Sequence, residues 1–136
     1  MNEAKAIGRQ LRAARLKAGL SQWQLADLAD TVQAQITTYE SGTVTPTLPR
    51  LRQICFALGL RAEDVLSWPA PGGLFTAAEA SQRLGMAEDR VQRLAKSMRL
   101  GARLGPRIVL SADDIERLRP FVGRGAGNPN FGRQTP

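Results

Sequence analysis

The chain has 136 residues, enough for one ordinary domain or two small ones. It carries 19 Lys plus Arg against 12 Asp plus Glu, a net charge of +7 with no histidine. The excess favours a polyanionic partner, and the missing imidazole excludes histidine catalysis and His-containing zinc sites. The basic surplus is spread out, +2 over residues 1–66, +3 over 74–122 and +2 from Gly123 onward, so no polybasic arm stands out. A single cysteine, Cys55, excludes an internal disulfide. No apolar run is long enough for a signal peptide or a bilayer span, and the expected location is the cytoplasm.

In chain order, Ile7, Leu11 and Ala14 recur at helical spacing, and Gly19 ends that helix. Ser21 caps a second helix, with Leu25 and either Leu28 or Ala29 on its core face. A break falls at Asp30. A third helix turns Ile36 and Tyr39 inward and carries Gln33, Gln35, Thr37 and Thr38 outward until Gly42. Thr47 caps a fourth helix with Pro49 in its first turn and Leu51, Ile54, Cys55 and Leu58 as its buried stripe. Gly59 stops it, and a short fifth helix covers Ala62 to Leu66. Residues 67–73, rich in Pro and Gly, are a linker by composition.

The pattern then starts again. Thr76 and Glu79 form a capping box for a helix through Leu84, and Gly85 makes a turn. A longer helix runs from about Ala87 to Met98 with Val91, Leu94, Ala95 and Met98 inward. Arg103 to Leu110 holds a Gly-Pro turn before Ile108-Val109 and reads as a small hairpin. Ser111 caps a closing helix to about Leu118, with Pro120 stopping it. Residues 121–136, which include Arg124 and Arg133 in a Gly-, Asn- and Pro-rich setting, are expected to be a disordered basic tail. Such a tail can enter a minor groove, although an idle terminus explains the composition as well.

Two short helices joined by a tight turn, the second with small amides and hydroxyls outward, suit a reader of base edges. Arg15, Gly19-Leu20-Ser21-Gln22, Leu25-Ala26, Ile36, Tyr39-Glu40-Ser41-Gly42, Pro46 and Leu51 through Leu60 carry a closer likeness. On these residues the segment 4–66 resembles the lambda-repressor-like helix-turn-helix family of Cro and phage repressor type. The resemblance implies a five-helix DNA-binding domain over residues 1–66. It places Gln33, Ala34, Gln35, Thr37 and Thr38 at or beside base edges, and Gln33 has the chemistry for a bidentate contact to adenine. It places Ser21, Gln22, Trp23, Thr43 and Thr45 along phosphates, Trp23 having a domain edge as its other reading. It pairs Arg15 with Glu40 as a semi-buried brace and puts Cys55 in a small core site. Three positions depart from the family pattern. Asp30 stands where glycine is usual, and Thr31-Val32 reverse the usual apolar-then-hydroxyl order, which leaves the start of the reading helix open by one residue.

Leu74 to Ala80, Arg83-Leu84-Gly85, Val91, Arg93-Leu94, Arg99-Leu100 and Ser111 to Ile115 make residues 74–120 similar to the small winged helix-turn-helix group of excisionase and MerR type. That resemblance implies a second DNA module with Arg90, Arg93, Lys96, Arg103 and Arg107 as its contacts. Its reading helix begins Ala87-Glu88-Asp89, where the group has a hydroxyl cap and basic residues, so a protein-binding or dimerising role stays open beside DNA contact.

The expected architecture is therefore mainly α, a five-helix helix-turn-helix domain followed by a winged one. The expected function is a bacterial or phage repressor that binds a pseudo-palindromic operator in double-stranded DNA as a homodimer, through the helix 33–41. The alternatives are an antitoxin or adaptor whose residues 74–120 grip a protein, and an excisionase-like factor that bends DNA. No cofactor, metal or membrane partner is expected. An enzyme is the least favoured class, because no paired carboxylates, phosphate-binding loop or ligand cluster is legible.

Overall fold

The structure is a computed structural model and describes residues 3–66, 68 and 70–123. The described chain divides into two compact units, one of the first five helices grouped with residues 104–107 and one of the remaining residues.

The first unit contains α1 (Glu3–Lys17), α2 (Gln22–Leu28), α3 (Gln33–Ser41), α4 (Leu48–Ala57) and α5 (Ala62–Leu66). Ends are set by side chains that satisfy orphan backbone groups. Ser21 Oγ accepts from Gln24 N at 3.0 Å while Gln24 Oε1 accepts from Ser21 N at 2.8 Å, a reciprocal box that opens α2. Thr47 caps α4, and the backbone N–H of Arg61 donates to Asp64 Oδ2 at the entry of α5. The turn after α2 is closed by Asp30 at φ 56, a left-handed residue of the type that tolerates this region best after glycine. α3 starts at Gln33 with Val32 as its N-cap and no side-chain hydrogen bond there, which resolves the one-residue ambiguity left by the reversed Thr31-Val32 order.

The core of this unit is Ile7, Leu11, Leu25, Ile36, Pro46, Leu51, Ile54 and Cys55, all fully buried. Ala29, four residues after Leu25, occupies the core face of α2, whereas Leu28 is 60% exposed. Leu58 is half-buried, so the α4 stripe ends at Cys55 rather than at Leu58. Burial pushes the Cys55 thiol up to about 12, as befits a packed core residue and not a reactive thiol.

The second unit contains β1 (Leu74–Thr76), α6 (Ala77–Leu84), α7 (Glu88–Met98), β2 (Ala102–Leu104), β3 (Arg107–Ser111) and α8 (Ala112–Leu118), followed by a 3-10 turn at Arg119–Phe121. Capping boxes open α6 (Thr76 with Glu79) and α8 (Ser111 with Asp114). The expected hairpin is part of a three-stranded sheet of order β1-β3-β2, with Leu74 opposite Ser111 and Thr76 opposite Val109. β1 has only three residues, too few to show alternation, and it is the strand the sequence reading missed. The core is Ala77, Ala80, Leu84, Val91, Ala95, Leu110, Ile115 and Leu118, with Phe75, Leu94, Met98 and Phe121 packed at its margin. Phe121, within the expected tail, packs its ring against this core. The rest of the tail, residues 124–136, lies outside the described residues. Among the described residues, no helix is long and apolar enough to cross a membrane.

Candidate nucleic-acid interface

α3 commits only Ile36 and Tyr39 fully to the core. Ile36 and Tyr39 anchor it, and Ala34, Gln35 and Thr37 face solvent, with Gln33 and Thr38 half-buried. Its back is seated against α1 through two glycines. A Cβ on Gly8 would lie 2.5 Å from the backbone oxygens of Tyr39 and Glu40. Gly42, at φ +78, closes α3, and a Cβ there would lie 2.7 Å from the Lys5 Cα. Only hydrogen fits at either place, so the two helices meet backbone to backbone.

A relay of polar side chains runs from this seat to the outer face. Arg15 Nε donates to Glu40 Oε2 at 2.6 Å and Nη2 donates to Oε1 at 3.0 Å, a bidentate pair whose side chains are 9% and 5% exposed. Arg15 Nη1 also donates to the Leu20 carbonyl at 2.9 Å. Hydrogen bonding to Glu40 holds the guanidinium above its ordinary pKa, against the opposing effect of burial. Gln22 Nε2 donates to the same Glu40 Oε1 at 3.1 Å. Gln22 Oε1 in turn accepts from Gln33 Nε2 at 2.7 Å and from Thr37 Oγ1 at 2.9 Å. The start of α2, the end of α1 and the outer face of α3 are therefore one hydrogen-bonded unit.

The other candidates fall around it. Thr38 Oγ1 donates back to the Ala34 carbonyl at 2.8 Å, which occupies its hydroxyl hydrogen. Ser21 has its hydroxyl oxygen occupied by the capping box. Trp23 is 72% exposed on the first turn of α2. Thr43 is exposed beyond α3 and shares a 2.7 Å hydrogen bond with Ser41, while Thr45 is half-buried. Sequence reasoning missed two apolar side chains that flank α3, Val32 at 61% and Val44 at 47% exposure. The signal was present, since a valine in an N-cap position has no helical reason to be there.

In the second unit, Arg93 and Lys96 are exposed on α7 and Arg90 is half-buried there. Arg103 on β2 and Arg107 on β3 are exposed on the hairpin. Glu88 and Asp89 open α7 without any side-chain cap, and Gln92 Nε2 donates to Glu88 Oε2 at 3.2 Å. Arg99 closes α7 at φ 58, a left-handed arginine that the sequence reading did not single out as a contact.

A family described as "Helix-turn-helix domain" matches residues 6–68, a span that begins within α1 and runs past α5. Over that span the first unit is similar to the helix-turn-helix family. Its turn is the Ala29–Val32 segment and its second motif helix is α3. Solved structures similar to the chain include the clp gene regulator ClgR from C. glutamicum, 28% identical over 48% of this chain and 83% of that one, with a TM-score of 0.46. A second crystal structure of ClgR from Corynebacterium glutamicum is 24% identical over 71% of this chain and 93% of that one, with the same TM-score of 0.46. The restriction-modification controller protein C.AhdI from Aeromonas hydrophila is 25% identical over 46% of this chain and 91% of that one, with a TM-score of 0.45. Among curated proteins none matches the chain.

Proposed function

We propose that this protein is a sequence-specific, DNA-binding transcriptional repressor that holds a pseudo-palindromic operator as a homodimer. In this reading α3 lies in the major groove, Gln33, Ala34, Gln35, Thr37 and Thr38 meet base edges, and Gln22, Trp23, Thr43 and Thr45 follow the phosphates. The observation that carries it is the relay from Arg15 through Glu40 and Gln22 to Gln33 and Thr37, which pre-orders an outward polar face that the core does not need. One reading helix spans only a few base pairs, and two copies on a two-fold site supply the remaining specificity. The +7 charge supplies the non-specific part of the affinity.

One titration tests the reading, with the full chain against a full palindrome, its half-site and a scrambled duplex at physiological salt. The palindrome is expected to bind at least about a thousandfold more tightly than the scrambled duplex, with the half-site between them. Equal affinity for half-site and palindrome refutes the homodimer. Equal affinity for palindrome and scrambled duplex refutes sequence reading altogether.

The second unit supports two roles. Its β2–β3 hairpin and exposed Arg93, Lys96, Arg103 and Arg107 suit a winged DNA module. The acidic, uncapped start of α7 at Glu88-Asp89 suits an adaptor surface for a protein partner.

A further inference from the structure

The relay beneath α3 has a direction, and the direction limits what Gln33 can read. Glu40 presents only acceptors, so the Gln22 amide must meet it with Nε2. Gln22 therefore turns Oε1 toward α3, where only donors are welcome. Gln33 must answer with its own Nε2, at 2.7 Å. That same nitrogen reaches Thr37 Oγ1 at 2.9 Å. A primary amide nitrogen carries two hydrogens, and here two oxygens of the protein itself stand within bonding distance of it. The Thr37 hydroxyl can accept in this way because its own hydrogen has an outlet, to Gln22 Oε1 at 2.9 Å or to the Gln33 carbonyl at 3.2 Å. The group that Gln33 has left for a ligand is Oε1.

We infer that Thr37 is a specificity-determining residue: by holding the second amide hydrogen of Gln33, it makes that glutamine an acceptor-only probe of the major groove. Such a probe matches an exocyclic amino group, adenine N6 or cytosine N4. It does not make the bidentate adenine contact that a free glutamine makes, because that contact also needs an N–H for adenine N7. Guanine and thymine show acceptors at the corresponding place and are rejected. The inference rests on α3 lying in the major groove as proposed above. Thr37 is exposed, so Thr37→Val keeps the β-branched shape, leaves the core alone and releases the N–H.

The test begins with selection from random duplexes by the full chain and by Gln33→Ala, which locates the base that Gln33 reads. Adenine or cytosine is expected there, and guanine or thymine overturns the inference. Adenine and 7-deazaadenine, which lacks the N7 acceptor, are then compared at that position in one duplex by fluorescence anisotropy. The unmodified protein is expected to lose less than about twofold in affinity, and Thr37→Val about fivefold or more, as a bidentate contact would. A loss of about tenfold by the unmodified protein, or equal insensitivity in both proteins, overturns the inference while leaving the groove reading intact. Absence of any sequence preference in the selection overturns the groove reading itself.

Discussion

Glu40 answers two neighbours at once, the Arg15 guanidinium and the Gln22 amide. Removing it strands a cation that is 9% exposed at its side chain. Glu40→Ala is therefore expected to lower unfolding free energy by about 3–5 kcal/mol in a urea titration, and a loss below about 1 kcal/mol would show the site to be open to water. Arg15 and Glu40 lie 25 positions apart, and no periodicity links residues at that distance. Their pairing was legible only through the family resemblance. The tie from Gln22 to Gln33 was not legible at all, because a glutamine is donor and acceptor at once and its orientation is set by the carboxylate behind it.

At the scale of elements, short-range chemistry was the readable part. The caps at Ser21, Thr47, Thr76 and Ser111 all lie where a hydroxyl precedes an apolar periodic run, and each opens a helix. What escaped was close approach between elements, since a glycine inside α1 reads as a mild flaw rather than as a seat for α3. Gly8→Ala forces a methyl to within 2.5 Å of two backbone oxygens, and backbone cannot swing aside as a flexible side chain can. The variant is expected to lose about 1–3 kcal/mol of stability by thermal or urea unfolding. Under conditions where it stays folded, it is also expected to bind the operator more weakly, because α3 is displaced from behind. Unchanged affinity in the folded variant would show that α1 holds α3 without setting its position. The strand β1 was unreadable for a different reason. Three residues acquire a strand's identity only from β3 beside them.

For the molecule as a whole, charge separates the two proposed roles of the second unit. Each phosphate neutralised contributes about −0.9 to the slope of log affinity against log salt on duplex DNA. If α7 meets DNA, replacing Arg93 and Lys96 with glutamine should make that slope shallower by about 1–2 in a salt series with the full chain. An unchanged slope would assign α7 to a protein partner and leave DNA to the first unit. The Pro- and Gly-rich stretch and the restarted helical pattern mark two segments in the sequence. Composition alone gave no means of deciding which surface each unit offers. The glycine seat, the arginine brace and the amide relay also divide the residues of α3 into two kinds. On the proposed reading, a change of base preference made at Gln22 or Glu40 would also break the hydrogen bonds that tie α2 and α1 to α3. Ala34 and Gln35, exposed on α3 and outside the relay, can be exchanged without breaking it.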